Sequence, residues 1–375
     1  MRGRLMRAGW EAGSYNRGRG KASAQTMRIT EIRTANRDGG LKPGMDIAGE
    51  LRRRVIGQDE AIEAISPYVE IFQAGLAPPG RPPGVFLLLG PTGTGKTHTV
   101  EALAEVLHGS SSNLIRIDCG EYQMEHEVAK LIGAPPGYLG HRETQPVITQ
   151  QKLASASSER CPLSIVLFDE VEKAAGSLTR ILLGVLDKAH MRLGDGTAVN
   201  FERSMIFMTS NSGAREMAKA RKGGFGFARA VKAGTDPVPA GIETAGLAAL
   251  RRRFSPEFIN RIDRSLVYQP LSRKSIAGIL DRQIDALERQ VGARLGPRAF
   301  QFEISAEARE ILIEEGADGS YGARELKRTL QRRLLQPLAR MILSGGIPPG
   351  AFVRVEKARS GGLAIRPRLP RRIAS

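Results

Sequence analysis

A glycine-rich segment in the first third of the chain has the spacing of a phosphate-binding loop. Its eight residues are Gly90, Pro91, Thr92, Gly93, Thr94, Gly95, Lys96 and Thr97, which match the pattern G-x-x-x-x-G-K-T. Glycines let the backbone turn its N–H groups towards a phosphate, and the amino end of a following helix adds favourable partial charge. Lys96 is expected to reach the β- and γ-phosphates, and the Thr97 hydroxyl to ligate Mg²⁺. The segment therefore predicts a site for ATP and Mg²⁺.

Two acidic residues end an apolar run further along the chain. Ile165–Phe168 is followed directly by Asp169 and Glu170. In company with a phosphate loop, Asp169 is expected to hold Mg²⁺ directly or through water, and Glu170 to polarise the attacking water as general base. Taken alone, such a run is as often a strand that enters a solvated helix cap. The loop favours the catalytic interpretation over a module that only binds nucleotide, because binding alone does not require Glu170.

The next apolar run, Met205–Met208, ends in Thr209, Ser210 and Asn211. A polar residue at the carboxyl end of a neighbouring parallel strand points into the same crevice. Asn211 is therefore expected to contact the γ-phosphate or the attacking water. An isolated Asn at such a position is more often a turn residue, so this interpretation depends on the loop and the acid pair.

These residues lie on or beside apolar runs that alternate with segments of helical period. The strand-like runs are Val85–Leu89, Leu114–Ile117, Ile165–Phe168, Met205–Met208 and Leu266–Tyr268, and the helical segments include Thr97–Leu107 and Leu178–Leu186. Strands that are apolar throughout and alternate with helices are typical of a parallel sheet covered on both faces. The predicted fold class is α/β, with a parallel sheet sandwiched by helices.

The sequence changes character after Pro270. Amphipathic helical patterns at Ser275–Gln290 and Leu326–Leu338, with a short strand at Ala351–Val355, predict a smaller and mainly helical domain. We therefore divide the chain into a basic, disordered segment 1–45, a large α/β nucleotide-binding domain 46–269, a small lid domain 270–356 and a basic tail 357–375.

The net charge of +17 invites the hypothesis of a nucleic-acid-binding protein. Most of this charge lies at the two ends of the chain. Residues 1–54 carry 13 Lys and Arg against 5 Asp and Glu, residues 340–375 carry 8 against 1, and the remaining 55–339 carry 35 against 33. Because the body of the protein is almost neutral, we expect no nucleic acid at its core.

The composition argues against several other classes. Hydrophobic residues make up 41% and charged residues 25%, the balance of an ordinary globular protein. No apolar run approaches the roughly 18 residues of a membrane span, and the N-terminus lacks the apolar part of a secretory signal. Two cysteines, Cys119 and Cys161, cannot build a disulfide framework, so a reducing, cytoplasmic location is expected. The five histidines lack metal-ligand spacing, so no zinc site is expected.

The motifs occur in the order found in one family. Besides the phosphate loop they are Val55–Gln58, Leu131–Gly140, Asp169–Lys173, Met208–Asn211, Pro256–Asp263 and Gly322–Arg324. Over roughly residues 47–355, they resemble the C-terminal ATPase module of the ClpA/ClpB-type AAA+ unfoldases. The resemblance implies an AAA+ domain followed by a small lid, ATP hydrolysis in a homo-hexameric ring, and polypeptide clients that are threaded through a central pore.

The resemblance also implies roles for single residues. Arg261 matches the arginine finger that reaches the neighbouring subunit's site, and Arg324 matches the arginine that reads the nucleotide and couples it to domain rotation. Val55 and Ile56 match the segment packed around the adenine. Tyr138 matches the pore residue that grips the translocating chain, although the following residues, His141–Gln145, depart from the aromatic and acidic-glycine run usual in the family. Without the family match, Arg261 would read as a surface arginine paired with Asp263.

Two partners and two rival functions stay open at this point. The segment Gly223–Phe227, with Phe225 and Phe227, lies where peptidase-partnered members carry a docking tripeptide, but a plain flexible loop is favoured there. An adaptor is a further possible partner for client delivery. The rivals are a nucleic-acid-stimulated AAA+ ATPase and an ATP-dependent assembly switch or adaptor without threading activity. A related transcriptional activator would need its own pore-loop signature and a helix-turn-helix, and neither is found.

Overall fold

The computed structural model describes residues 45–133, 145–213, 240–296, 299–316, 322–359 and 361–368. The contacts divide the chain into Met1–Met45 and a compact unit Asp46–Ser375, to which almost all described residues belong. Within the described residues, no helix is both long and apolar enough to cross a membrane.

The large domain is built on five parallel strands in the order β2-β3-β6-β1-β7. Their bounds are β1 Val85–Leu89, β2 Ile115–Asp118, β3 Ser164–Asp169, β6 Ser204–Ser210 and β7 Arg264–Val267, and a separate antiparallel pair is formed by β4 His190–Arg192 and β5 Ala198–Asn200. Every residue of β1, β3 and β6 is buried. Strands inside a parallel sheet are covered on both faces, which explains why these runs are apolar throughout. The sheet confirms the predicted α/β class.

Helices and two short 3₁₀ segments connect and cover these strands. The helices are α1 Ile47–Arg52, α2 Asp59–Gln73, α3 Lys96–His108, α4 Val128–Ile132, α5 Gln150–Ser155, α6 Gly176–Lys188, α7 Ala240–Arg253 and α8 Pro256–Ile259, and the 3₁₀ segments are Cys119–Glu121 and Val171–Lys173. The core joins side chains from β1, β3 and β6 to those of α6 and the surrounding segments. Because β3, β6 and β1 are neighbours and all parallel, the residues that follow them meet at one edge of the sheet.

The second domain combines helices with a small sheet. Its elements are α9 Arg273–Leu295, β8 Gln301–Ile304, α10 Ala306–Gly316, α11 Ala323–Leu330, a π-helical turn Gln331–Leu335, α12 Gln336–Leu343, β9 Phe352–Lys357 and β10 Leu363–Arg368. The strands lie in the order β10-β9-β8, with β8 parallel and β10 antiparallel to β9. They pack on the helices in a core of their own, which includes Leu312, Leu326 and Val353.

The sheet of the second domain extends beyond the boundary that we drew at residue 356. Strand β10 pairs with β9 over its whole length, from Leu363 opposite Lys357 to Arg368 opposite Phe352. Leu363 and Ile365 are partly buried against the core of this domain, whereas the arginines of the strand face solvent or lie at its edge. An edge strand with one apolar stripe can carry many charges. The basic composition of residues 357–375 therefore led us to predict a tail where the structure has strand β10.

Candidate functional site

The phosphate loop connects β1 to α3 in a conformation that requires its glycines. Gly90, Gly93 and Gly95 have φ angles of 145°, 83° and 103°. A Cβ on Gly90 would lie 2.7 Å from the carbonyl oxygen of Tyr268. Side chains are disfavoured in this region of backbone space, so the spacing of glycines seen in the sequence corresponds to the turns of the loop.

Lys96 is buried at the start of α3 and uses its three donors inside the protein. Its Nζ donates to the carbonyl oxygens of Gly90 and Pro91 at 2.6 and 2.9 Å and to Oδ1 of Asn211 at 2.9 Å. Burial lowers the pKa of Lys96 to about 8, and the negative charges of Glu172 and Asp169 partly oppose this shift. The structure therefore brings Lys96 and Asn211 into contact.

Asp169 ends β3 beside two residues that the sequence analysis did not select. The Thr209 hydroxyl on β6 donates to Oδ1 of Asp169 and accepts from the backbone N–H of Glu170 at 2.9 Å. Arg116 on β2 pairs with Oδ2 of Asp169 at 2.5 Å. Both contacts follow from the parallel register, in which β2 and β6 are the neighbours of β3.

Glu170 lies immediately after β3 in a left-handed backbone conformation, with φ 56°. Its Oε1 accepts from Nδ2 of Asn211 at 3.0 Å, and its Oε2 pairs with Nζ of Lys173 at 2.5 Å. Non-glycine residues in this conformation carry strain and are concentrated at functional sites. The conformation directs the carboxylate towards Asn211, as the sequence analysis expected of two neighbouring strand ends.

A third acidic residue, Glu172 in the 3₁₀ segment Val171–Lys173, contacts the backbone of Asn211. Its Oε1 accepts from the N–H of Asn211 at 2.9 Å, while its Oε2 is buried without a hydrogen-bond partner among the described residues. The carbonyl oxygen of Glu172 accepts from Nε of Arg253 at 2.9 Å. The negative charge of Glu172 is also the largest electrostatic influence that keeps Lys96 protonated.

A cleft of about 1040 Å³ between the large domain and the second domain is lined by Lys96, Asp169, Glu170 and Asn211, together with Arg116 and Thr209. The cleft brings together most of the predicted site residues: Val55, Ile56, Thr92, Gly93, Thr94, Gly95, Lys96, Thr97, Asp169, Glu170, Asn211 and Arg324. Gln58, which follows Val55 and Ile56, contacts the phosphate loop, since its Nε2 donates to the carbonyl oxygens of Thr94 and Gln269, each at 3.0 Å.

The second domain touches the phosphate loop through the start of α11. The N–H of Ala323 donates to the carbonyl oxygen of Gly93 at 3.0 Å. Gly322 has φ 51°, and a Cβ there would lie 2.6 Å from the same oxygen. This contact leaves Arg324 in the wall of the cleft, where its positive charge lowers the pKa of Lys96 further.

Arg261 is placed differently from the other described candidates. It follows α8 and does not line the cleft of its own chain. Its guanidinium pairs with Glu257 at 2.8 Å and with Asp187 at 3.5 Å. Asp263, the partner considered from the sequence, instead pairs with Arg81 at 2.9 Å. Tyr138 and the Phe225–Phe227 region lie outside the described residues.

Sequence reasoning missed Arg116, Thr209, Glu172 and Lys173. Thr209, Glu172 and Lys173 lie within the quoted family motifs but were assigned no role, and Lys173 also follows Glu170 at the i, i+3 spacing of a helical ion pair. Arg116 and Thr209 contact Asp169 from the two strands beside β3, and the order of the strands cannot be predicted from the sequence. The hydrogen bond between Glu172 and the N–H of Asn211 joins residues that are 39 positions apart, so no local spacing indicates it.

Comparison with known proteins identifies both domains. Residues 81–265 match the family model described as the AAA domain of the Cdc48 subfamily, and residues 271–355 match the C-terminal D2-small domain of ClpB protein. The chain is 40% identical over 306 residues to the chaperone protein ClpB of Meiothermus ruber and 41% identical over 303 residues to that of Pseudomonas putida. These matches cover 82% and 81% of this chain but 33% and 32% of the relatives, so the chain spans about a third of their length.

The fold of this chain is also similar to that of a solved structure. The closed-state reconstruction of Hsp104 with ATPγS and FITC casein is 28% identical and has a TM-score of 0.73. The likeness covers 92% of this chain and 55% of that one. These findings confirm the resemblance that the sequence motifs carry.

Proposed function

This chain belongs to the Clp-type AAA+ ATPases, and from that premise we propose that it hydrolyses ATP to unfold and remodel polypeptides. Support comes from the matches to the AAA domain and to the ClpB D2-small domain, because residues of both matched ranges line the cleft. The relatives carry the name of a chaperone, and the similar Hsp104 structures hold casein. Because this chain corresponds to about a third of the curated relatives, the activity of the whole protein is part of the proposal.

The cluster of Lys96, Asn211 and Glu170 is the observation that carries the catalytic part. Asn211 contacts both charged groups, at 2.9 Å from Lys96 and 3.0 Å from Glu170. A cation beside the phosphates and a carboxylate beside the attacking water are the two charges that phosphoryl transfer requires. In this proposal Glu170 takes the proton of the water as general base, and Asn211 holds its carboxylate in line.

The residues of the cleft also fit a nucleotide with its metal ion. The loop turns its glycines at positive φ around an open concavity, with Lys96 and Arg324 as the cations in its wall. The Thr97 hydroxyl and the Asp169 carboxylate are hard oxygen ligands at the same edge, and they would hold Mg²⁺, which when bound neutralises phosphate charge. Val55 and Ile56 offer an apolar wall for the base.

The position of Arg261 supports a ring. Its guanidinium is on the outside of its own cleft and is held by Glu257 and Asp187. An arginine that stabilises the γ-phosphoryl oxygens from that position has to act on a neighbouring subunit. We therefore propose a homo-hexamer in which Arg261 completes the next site, and in which Tyr138 grips the client.

Both cysteines are free and buried, as expected of a protein from a reducing compartment. Burial raises the pKa of Cys119 to about 12 and raises that of Cys161, so neither thiol is reactive at neutral pH. We place the activity in the cytoplasm on this basis.

Replacement of Glu170 by Gln tests the catalytic assignment. We expect E170Q to bind ATP and to assemble, because Gln keeps the size and one acceptor oxygen of the carboxylate. Turnover should fall by at least about a hundredfold, in line with the loss of a general base. ATP hydrolysis at the wild-type rate in E170Q would contradict the assignment.

A second measurement separates the proposed function from its rivals. The ATPase rate of the wild type is compared with unfolded casein and with DNA, each at two salt concentrations. Stimulation by casein supports the unfoldase function. Stimulation by DNA alone, strongly weakened by salt, would instead indicate a nucleic-acid-dependent ATPase that uses the basic ends of the chain. The absence of any stimulation would favour an assembly switch.

A further inference from the structure

Both carboxylate oxygens of Glu170 are occupied in this structure. Oε1 accepts from Asn211 at 3.0 Å, and Oε2 pairs with the ammonium group of Lys173 at 2.5 Å. The ion pair fixes the orientation of the carboxylate, so Oε2 cannot turn freely towards a water molecule. Lys173 therefore restrains the residue that is proposed to take the proton.

The same lysine lies against the segment that follows β2. The 3₁₀ segment Val171–Lys173 packs on Cys119–Glu121, and a Cβ on Gly120 would lie 3.7 Å from Cδ of Lys173. The hydrogen bond that Lys173 donates to Glu170 is the main cause that raises the pKa of Lys173, and the negative charge of Asp118 adds to it. The same Cβ on Gly120 would lie 3.0 Å from Oδ1 of Asp118, so Asp118 is a second anion close to the Lys173 side chain.

Backbone contacts join these two segments beyond Lys173. The N–H of Ala175 donates to the carbonyl oxygen of Tyr122 at 2.8 Å, and the N–H of Ser177 donates to Oε1 of Glu125 at 3.3 Å. The segment then continues into α4, which ends at Ile132. These hydrogen bonds link Cys119–Ile132 to the backbone that follows Lys173.

We propose that Lys173 is a positioning residue that withholds Glu170 in the resting protein, and that movement of Cys119–Ile132 transfers its ammonium group to Asp118. The proposal rests on the proposed function, in which Glu170 is the base and a polypeptide is the client. The ion pair is half-exposed, with 48% of the Lys173 side chain and 31% of the Glu170 side chain accessible. Such a pair is weak enough to be exchanged, and its loss should change the rate about two- to fivefold.

Three single variants test the restraint in the full chain. Lys173→Ala should raise the basal kcat for ATP about two- to fivefold, leave KM unchanged and reduce stimulation by unfolded casein by the same factor. Lys173→Arg keeps the cation and should retain stimulation. Lys188→Ala removes an exposed positive charge at the end of α6 and serves as the matched control, with wild-type rates expected.

Asp118→Asn tests the second position of the ammonium group. Asn keeps the oxygen that caps the N–H of Gly120, at 2.8 Å in this structure, but removes the charge that would receive Lys173. Stimulation by casein should be lost without any rise in basal rate, the opposite basal effect to that of Lys173→Ala.

The proposal is overturned if Lys173→Ala lowers the basal rate, raises KM in parallel, or leaves basal and stimulated rates as in the wild type. It is also overturned if Asp118→Asn is stimulated normally. Failure of the proposed function has a different signature, since it appears in Glu170→Gln as retained turnover, whatever the lysine variants do.

Discussion

The hydroxyl of Thr209 is a small group on which two parts of the candidate site depend. It is buried, donates to the Asp169 carboxylate and accepts from the N–H of Glu170. Thr209→Val keeps the shape of the side chain but leaves both partners without this contact. A hydrogen bond to a charged group contributes about 1.5–3 kcal/mol, and an unsatisfied buried donor costs about 1–3 kcal/mol. We expect the free energy of unfolding to fall by about 2–4 kcal/mol.

A second buried threonine provides a control with the same chemical change. Thr329 in α11 is fully buried, and its hydroxyl has no hydrogen-bond partner in the part of the chain that the structure describes. Thr329→Val replaces an unsatisfied hydroxyl by a methyl group. We therefore expect the free energy of unfolding to stay the same or rise by about 1 kcal/mol.

Urea titration followed by far-ultraviolet circular dichroism measures both variants, with the slope m checked for constancy. The ATPase rate of Thr209→Val should also fall about ten- to a hundredfold, because Glu170 loses the support of its strained backbone. Equal stability changes in the two variants would refute this reasoning, since it assigns opposite roles to two hydroxyls of equal burial.

Two further predictions concern the phosphate loop. Because burial lowers the pKa of Lys96 to about 8, Lys96 is charged below that pH and must take up a proton to meet a phosphate above it. The Kd for ADP should rise by up to tenfold per pH unit above about pH 8, with proton uptake detected by calorimetry in two buffers, and a constant Kd up to about pH 9.5 would contradict this. Gly322→Ala places a Cβ 2.6 Å from the Gly93 carbonyl oxygen, so it should weaken nucleotide binding at least tenfold and lower the melting temperature. Gly345→Ala, also at positive φ but with nothing within 4 Å, should cost only about 1 kcal/mol of stability and leave binding intact.

The three inner strands of the large sheet, β1, β3 and β6, could be predicted because burial on both faces leaves a continuous apolar run. Val85–Leu89 was predicted to the residue, and the runs that became β3 and β6 were extended by one or two residues at their ends. The order of the strands could not be predicted, because it depends on crossovers that leave no local pattern. Strand β10 was missed since its arginines outweigh the short stripe of Leu363 and Ile365.

At the candidate site, too, local motifs could be predicted from the sequence, whereas contacts between distant segments could not. A phosphate loop is continuous in sequence, so Lys96 and Thr97 are recognised from spacing alone. Thr209 and Arg116 contribute through strand register, and their contacts with Asp169 exist only once β2, β3 and β6 lie side by side. The position of Arg261 outside its own cleft depends on the ion pairs with Glu257 and Asp187, of which the second spans two distant parts of the chain.

In the proposed mechanism, Asn211 links occupancy of the phosphate loop to Glu170. An ammonium group has three donors, and those of Lys96 are all used, by Gly90, Pro91 and Asn211. A phosphate oxygen can gain a hydrogen bond from Lys96 only if one of these acceptors loses its own. The two carbonyl oxygens belong to the loop itself, whereas the Asn211 side chain also holds Glu170. In the proposed mechanism, exchange at Asn211 is therefore expected to alter the orientation of the carboxylate, and so to couple nucleotide binding to the position of the base.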